Sequence, residues 1–381
     1  MTDFDTSIDR SGTGSLKWDR YKGRDIVPLW VADMDFKSPP AVIDAIKARA
    51  DHGVFGYTIP YDEANTAVVD YLKDRHGIAV EKEWILWLPG LVQGLNLACR
   101  AVGSPGDSVL TCVPVYPPFL SAPGFSDRKR VTVPLRLDGT RWTFDWPALE
   151  QAVTRDTKLF ILCNPHNPVG RVWSTEDLTR LVDFCERHNL ILCSDEIHCD
   201  LILDDAKHVP TLALGEKASK RTIALYSPSK TYNQPGLACA YAIIPNPELR
   251  SAFQHVSRGI ITEINCFGYA GCIAAYRHGE PWRKDLITYL RGNRDRVYEV
   301  LSPLAPRIKL WPMESTYLAW MDVRGLNEKH PHKFFEEHGV GLSNGVDFGT
   351  PGFLRINFGC PRSILEEGLT RIVKAVSLLP L

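Results

Sequence analysis

Four short apolar runs in the middle of this 381-residue chain each lead, within a few residues, to side chains able to do chemistry. Val109–Val113 (VLTCV) runs toward Tyr116, and Leu159–Cys163 (LFILC) toward Asn164 and Asn167. Leu190–Cys193 (LILC) runs toward Asp195 and His198, and Thr222–Tyr226 (TIALY) toward Ser227, Ser229 and Lys230. A lysine amine can form a Schiff base with an aldehyde, and a carboxylate can keep a heteroaromatic nitrogen protonated so that its ring accepts electrons. An aromatic side chain can stack on such a ring, and an amide can donate to an oxygen on it. Serine hydroxyls and the N–H groups of a helix start can hold a phosphate. The inventory suits a phosphorylated pyridine aldehyde. Taken singly, each residue has a plainer reading. Lys230 would be a solvated lysine, Asp195 a helix N-cap, Asn167 a turn residue between prolines, and Tyr116 a packing residue. Their common placement after apolar runs favours one site.

The elements that must position these residues follow from the pattern. Apolar runs of four or five residues without alternation suit strands buried on both faces of a parallel sheet. Between the second and third runs, STEDLTRLVDFCERHN opens with Ser174 or Thr175 as an N-cap, carries apolar residues at helical spacing and ends in Asn189. Strand, helix, strand is a βαβ unit, so the class is α/β, and open parallel sheets bind ligands at the carboxyl ends of their strands. Around residue 280, GEPWRKDLITYLRGNRDRVYEVL predicts one long helix linking two bodies. Beyond it come short strands (RIKLWP, TYLAWMDV, FLRINFG) and helices (HPHKFFEEHG, ILEEGLTRIVKAVSLL).

The bulk numbers are those of an ordinary globular protein, with 44% hydrophobic and 23% charged residues. Lys+Arg (44) nearly balance Asp+Glu (45), which gives no electrostatic case for a nucleic-acid or membrane partner. No run approaches the roughly 20 apolar residues of a membrane span. The polar start, MTDFDTSIDRSGTGSLKWDR, lacks the pattern of a signal peptide, and the ten scattered cysteines contain no C-x-x-C pair. A cytoplasmic protein with reduced thiols is expected.

N-P-H-N-P-V-G (164–170), S-D-E-I-H-C-D (194–200), S-P-S-K-T-Y-N (227–233) and R-I-N-F-G-C-P-R (355–362) resemble the fold-type-I pyridoxal-phosphate superfamily of class I/II aminotransferases. More narrowly they are similar to its MalY/PatB group of cystathionine β-lyases, or C–S lyases. W-V-A-D-M-D-F (30–36), F-G-Y-T (55–58), P-G-L-V-Q-G-L (89–95), K-H-V-P (207–210) and S-T-Y-L-A-W-M-D (315–322) extend the resemblance in order along the chain. It implies an aspartate-aminotransferase-like fold: a large domain, with a mainly parallel sheet sandwiched by helices, plus a smaller α+β domain. The corresponding division is an N-terminal arm and part of the small domain at 1–45, a large cofactor-binding domain at 46–280, and a small C-terminal domain at 281–381.

The resemblance implies pyridoxal 5′-phosphate as cofactor, with Lys230 as the Schiff-base lysine and proton shuttle and Asp195 on the ring nitrogen. Asn167 would contact the phenolic oxygen and Tyr116 would stack on the ring. The backbone N–H groups of Gly90, Leu91 and Val92 would hold the phosphate, with Ser227 and Ser229. Arg355 would clamp the α-carboxylate of an amino-acid substrate as a bidentate fork. Tyr57 would reach the phosphate of the other subunit of a homodimer with shared active sites, and Asn167, Tyr116 and Tyr57 would also border the substrate. His198 stands where much of the superfamily has a tyrosine on the phenolic oxygen; the alternative is a histidine packed near the cofactor that moves no protons.

Two reactions compete on this framework, β-elimination of a thiol and amino transfer. Related aminotransferases place a phosphate-binding arginine eight residues after the lysine, where this chain has Ala238, and D-E-I-H belongs to the lyase branch. Elimination from cystathionine or another S-substituted L-cysteine is therefore expected. Gln234 and Pro235 replace the usual I-A of N-I-A-G-L, and Ser315 and S-N-G (343–345) also depart from the group, which points to a retuned substrate pocket or a reshaped loop. G-L-S-N-G (341–345) matches a serine-hydrolase pattern, but a helix-like stretch precedes it where a strand is required. No H-E-x-x-H or cysteine pair suggests a metal, and no G-x-G-x-x-G follows a strand.

Overall fold

The computed structural model describes residues 2–380; Met1 and Leu381, the outer limits of the expected arm and C-terminal domain, lie outside the described residues. In chain order the larger body contains α1 (Pro40–Asp51), α2 (Asp62–His76), β1 (Ile85–Leu88), α3 (Leu91–Ala101), β2 (Ser108–Val113), α4 (Pro117–Phe125) and β3 (Lys129–Pro134). It continues with β4 (Thr157–Cys163), α5 (Thr175–Arg187), β5 (Ile191–Asp195), β6 (Thr222–Tyr226), β7 (Ala240–Ile243) and α6 (Cys266–His278). Its seven strands form one sheet in the order β1-β7-β6-β5-β4-β2-β3. β7 pairs antiparallel with both β1 and β6, and the other pairs in the sheet are parallel.

The non-alternating runs are buried on both faces. Along β4, Leu159, Ile161 and Cys163 join an apolar cluster with Leu95 of α3, whereas Phe160 and Leu162 join one with Leu181 of α5. Period-two geometry makes this division automatic. Helix α5 starts where the sequence places it. The Ser174 hydroxyl accepts from Asp177 N–H and the Asp177 carboxylate accepts from Ser174 N–H, both at 3.1 Å. Such a capping box contributes about 1 kcal/mol. The three strands of this sheet not anticipated give weak signals: β1 and β7 have four residues each, β7 is half alanine, and edge strand β3 begins Lys-Arg.

The smaller body begins with α7 (Glu280–Leu301) and contains β8 (Lys309–Leu310), β9 (Leu318–Asp322), β10 (Ser343–Asn344), β11 (Phe353–Asn357) and α8 (Arg362–Ser377). Its strands form an antiparallel sheet in the order β8-β9-β11-β10. The N-terminal segment packs here: Phe4, Leu29 and Met34 share a core with Leu290 of α7, Leu354 of β11 and Leu369 of α8. Val27–Pro28 also pairs in parallel with Val340–Gly341. Among the described residues, no helix is long and apolar enough to cross a membrane.

Candidate active site

Five strands of the large sheet deliver their carboxyl ends to one cavity. Beyond β1 the chain turns at Gly90 into α3, and beyond β2 it reaches Tyr116, the residue before α4. Beyond β4 comes Asn167, at the end of β5 Asp195 with His198 after it, and beyond β6 Ser227, Ser229 and Lys230. All of these, with Leu91 and Val92, line the same cavity. Arg355 and Tyr57 stand apart from it. Arg355 rises from β11 in the smaller body and meets the site through Asn167. Tyr57 is fully exposed on the surface of the single chain.

The Lys230 amine donates to the carbonyl of Ala32. Desolvation lowers its pKa to about 8; Arg355 pushes it further down, while the charges of Asp33 and Asp195 oppose this. The Asp195 carboxyl is buried and accepts one hydrogen bond, from Ile197 N–H at 3.1 Å. Burial raises it to about 7, against that bond and the charge of Lys230. His198 is buried with Nδ1 unpartnered, and desolvation followed by repulsion from Lys230 and Arg355 lowers it to about 3. It is a neutral imidazole, its ring edge-on to Tyr317 at 6.2 Å. That state suits a packing or hydrogen-bonding neighbour better than a proton carrier at neutral pH.

Asn167 is oriented from the other body. Its side-chain oxygen accepts from Arg355 Nη1 at 3.0 Å, which turns its NH₂ group toward other acceptors. Arg355 Nη2 donates to the Trp30 carbonyl at 3.0 Å and to the Ser343 hydroxyl at 3.3 Å, and the guanidinium lies over the Phe348 ring at 4.6 Å. Its Nε is buried without a partner. Gly90 gives α3 no side-chain cap, so the first-turn amides of Leu91 and Val92 remain available to an anion. The Ser227 hydroxyl donates to Cys239 carbonyl at 2.7 Å and accepts from Ser229 N–H at 3.1 Å.

These residues fit pyridoxal phosphate on the chemistry of the donor set. An uncapped helix start meets the need of the phosphate, and a lysine of lowered pKa meets that of the aldehyde. A buried carboxyl with a single protein partner meets that of the ring nitrogen.

The sequence reading assigned no role to the segment that closes the cavity. Residues 30–36 run alongside it as a strap that puts Ala32 in the lining, and its backbone carbonyls accept from side chains around the site. Trp30 takes Arg355 and Ser343, Ala32 takes Lys230 and Tyr317, and Met34 takes Asn233. The motifs W-V-A-D-M-D-F and S-T-Y-L carried the signal, but only as resemblances. Gln234 points away from the cavity: its side chain lies buried against Gly271 of α6, leaving Pro235 to line the wall. Ser315 is buried in an isolated bridge with Ile202, outside the cavity lining. In G-L-S-N-G, Ser343 opens β10 with its hydroxyl donated to Trp30, so it is not a nucleophile on a strand-to-helix turn.

The chain belongs to the class I and II aminotransferase family, whose model matches residues 24–372. It is 38% identical to cystathionine β-lyase PatB of Bacillus subtilis over 98% of this chain and all of that one. Among solved structures, OvoB is similar with a TM-score of 0.96 and 41% identity over 99% of both chains. Cystalysin from Treponema denticola, whose structure contains pyridoxal 5′-phosphate, gives 0.95 and 35%, again over 99% of both.

Proposed function

We propose that this chain is a pyridoxal-phosphate-dependent carbon–sulfur β-lyase, cleaving cystathionine or another S-substituted L-cysteine to a thiol, pyruvate and ammonia. The observation that carries the proposal is the meeting, in one cavity, of a lysine lowered to about 8 with a buried carboxyl raised to about 7. The likeness to PatB supports the lyase branch. Bound pyridoxal phosphate supplies an electron sink for the pair left when a proton departs Cα. Lys230 would hold the cofactor until the substrate amine displaces it, and its freed amine would then take the Cα proton and return a proton to the departing sulfur. Asp195 would keep the ring nitrogen protonated, Tyr116 would stack on the ring, and Asn167 would donate to the phenolic oxygen. The first turn of α3 at Gly90, Leu91 and Val92 holds the phosphate with Ser227 and Ser229. Arg355 takes the substrate carboxylate.

A homodimer completes the reading. Val54, Phe55, Tyr57 and Ile59 form an exposed apolar stretch on one chain, which supports burial against a second copy and a role for Tyr57 at the partner's phosphate. In the domain division at 45/46 and 280/281, the packing of Phe4, Leu29 and Met34 into the core of the smaller body supports placing the N-terminal segment there, while the 45/46 boundary itself falls within α1. A cytoplasmic setting is supported by ten cysteines that are all free and buried.

The test is incubation with L-cystathionine and with other S-substituted cysteines. Pyruvate release that disappears in Lys230→Ala is expected. Amino transfer to a keto acid without pyruvate would overturn the lyase reading in favour of an aminotransferase.

A further inference from the structure

Asp195 and Glu196 are neighbours at the end of β5 with contrasting surroundings. Asp195 lines the cavity with one hydrogen bond, whereas Glu196 is absent from the lining and fully buried. Successive side chains at a strand end turn to opposite sides. The Glu196 carboxylate accepts four hydrogen bonds. Oε1 takes Thr211 N–H at 2.9 Å and the Ser194 hydroxyl at 3.0 Å; Oε2 takes the Tyr226 hydroxyl at 2.7 Å and His208 Nε2 at 2.8 Å.

The origins of these donors matter more than their number. Ser194 immediately precedes Asp195, and Tyr226 ends β6 immediately before Ser227. His208 and Thr211 belong to the loop that runs behind both. The same loop is tied to the end of β4, because Asn164 donates its side-chain amide to Val209 carbonyl at 3.0 Å. The peptide that follows Asp195 is held on both sides: Asn164 N–H donates to Asp195 carbonyl and Glu196 N–H to Leu225 carbonyl, both at 2.9 Å. One buried carboxylate thus joins the strand end bearing Asp195 to the one bearing Ser227 and Lys230.

We infer that Glu196, fixed by His208, is a positioning residue for the cofactor: it orients the Asp195 carboxyl and places a permanent negative charge behind it. Four donors keep Glu196 ionised despite burial, and its pKa lies below the usual carboxylate value. The His208 ring meets Glu196 through Nε2 at 2.8 Å, and its Nδ1 is buried without a partner. The charge reaches Asp195, where it is among the influences that raise proton affinity. Nearby, the His76 ring lies 5.5 Å from that of His208 and faces Asp200, so it is engaged with another carboxylate.

The inference rests on the reading of Asp195 as the partner of the cofactor's ring nitrogen, but not on which reaction follows. Cofactor-free wild type, Glu196→Gln, Glu196→Ala and His208→Gln are titrated with pyridoxal phosphate, and the absorbance of the loaded proteins is followed against pH. Affinity at least tenfold weaker in both Glu196 variants and a few-fold weaker in His208→Gln is expected. In Glu196→Gln the midpoint of the absorbance titration moves to lower pH, because the negative charge is gone. Melting of the cofactor-free proteins reports folding separately, and His208→Gln removes one bond at the edge of the network should the Glu196 variants not fold. Wild-type affinity and midpoint in folded variants would overturn the inference, even where melting temperatures fall. Failure of the wild type itself to bind pyridoxal phosphate would instead overturn the reading on which it rests.

Discussion

Arg355 and Asn167, 188 positions apart in the chain, are joined by a 3.0 Å hydrogen bond from the guanidinium to the side-chain oxygen of the asparagine. One comes from the smaller body and the other from the loop after β4, so the bond links the residue proposed to take the substrate to one that lines the proposed cofactor cavity. It also fixes which end of the Asn167 amide is free to donate.

Arg355→Ala should lower kcat/KM for amino-acid substrates more than it lowers cofactor affinity. Losing a charge-assisted bond to the substrate carboxylate costs about 2 kcal/mol, or roughly thirtyfold in kcat/KM. Steady-state kinetics beside a pyridoxal phosphate titration separates the two effects. An unchanged kcat/KM would remove Arg355 from substrate binding.

Asp195 gives the cofactor-free protein a pH-dependent stability. Its pKa is raised by burial from 3.8 unfolded to about 7 folded. Across that window the folded state holds a proton that the unfolded chain has released. This contribution is therefore fully present below the unfolded value and is lost as pH rises through about 7. Asp195→Asn should flatten that part of the profile, so its melting temperature falls less from pH 4 to pH 7 than that of wild type. Parallel profiles would show that the carboxyl is not so perturbed.

Gln234 and Gly271 form a matched pair. A Cβ at Gly271 would stand 2.6 Å from the Gln234 side-chain oxygen and 2.6 Å from Leu237 Cδ1. Gly271→Ala should destabilise the protein by about 1–3 kcal/mol through overpacking. Adding Gln234→Ala should recover part of that loss, with the clash at Leu237 remaining. A double-mutant cycle in urea with no coupling between the two sites would contradict the packing.

The exposed stretch at 54–59 should be covered in solution. Sedimentation of the wild type at twice the monomer mass is expected, and Ile59→Glu should shift it toward monomer with weaker cofactor binding. A variant that stays dimeric with unchanged affinity would place the interface elsewhere.

The amino-acid sequence by itself determined the strands that carry chemistry and the residues at their ends. Thr222–Tyr226, the Ser174 cap and the order of Tyr116, Asn167, Asp195 and Lys230 are local patterns, set by burial on two faces and by backbone capping within a few residues. The antiparallel strand β7 was hidden because four residues, two of them alanine, carry little strand preference of their own; pairing with β1 and β6 decides it. The tertiary structure alone decided that Ala32 carbonyl receives Lys230, that Tyr317 shares it, and that Gln234 turns from the cavity toward α6. It also decided the charges. A lysine near 8 and an aspartic acid near 7 are products of desolvation, and desolvation depends on which distant segments close over a group. For Lys230 that segment includes Ala32, nearly two hundred positions earlier, a distance over which local sequence pattern carries no information.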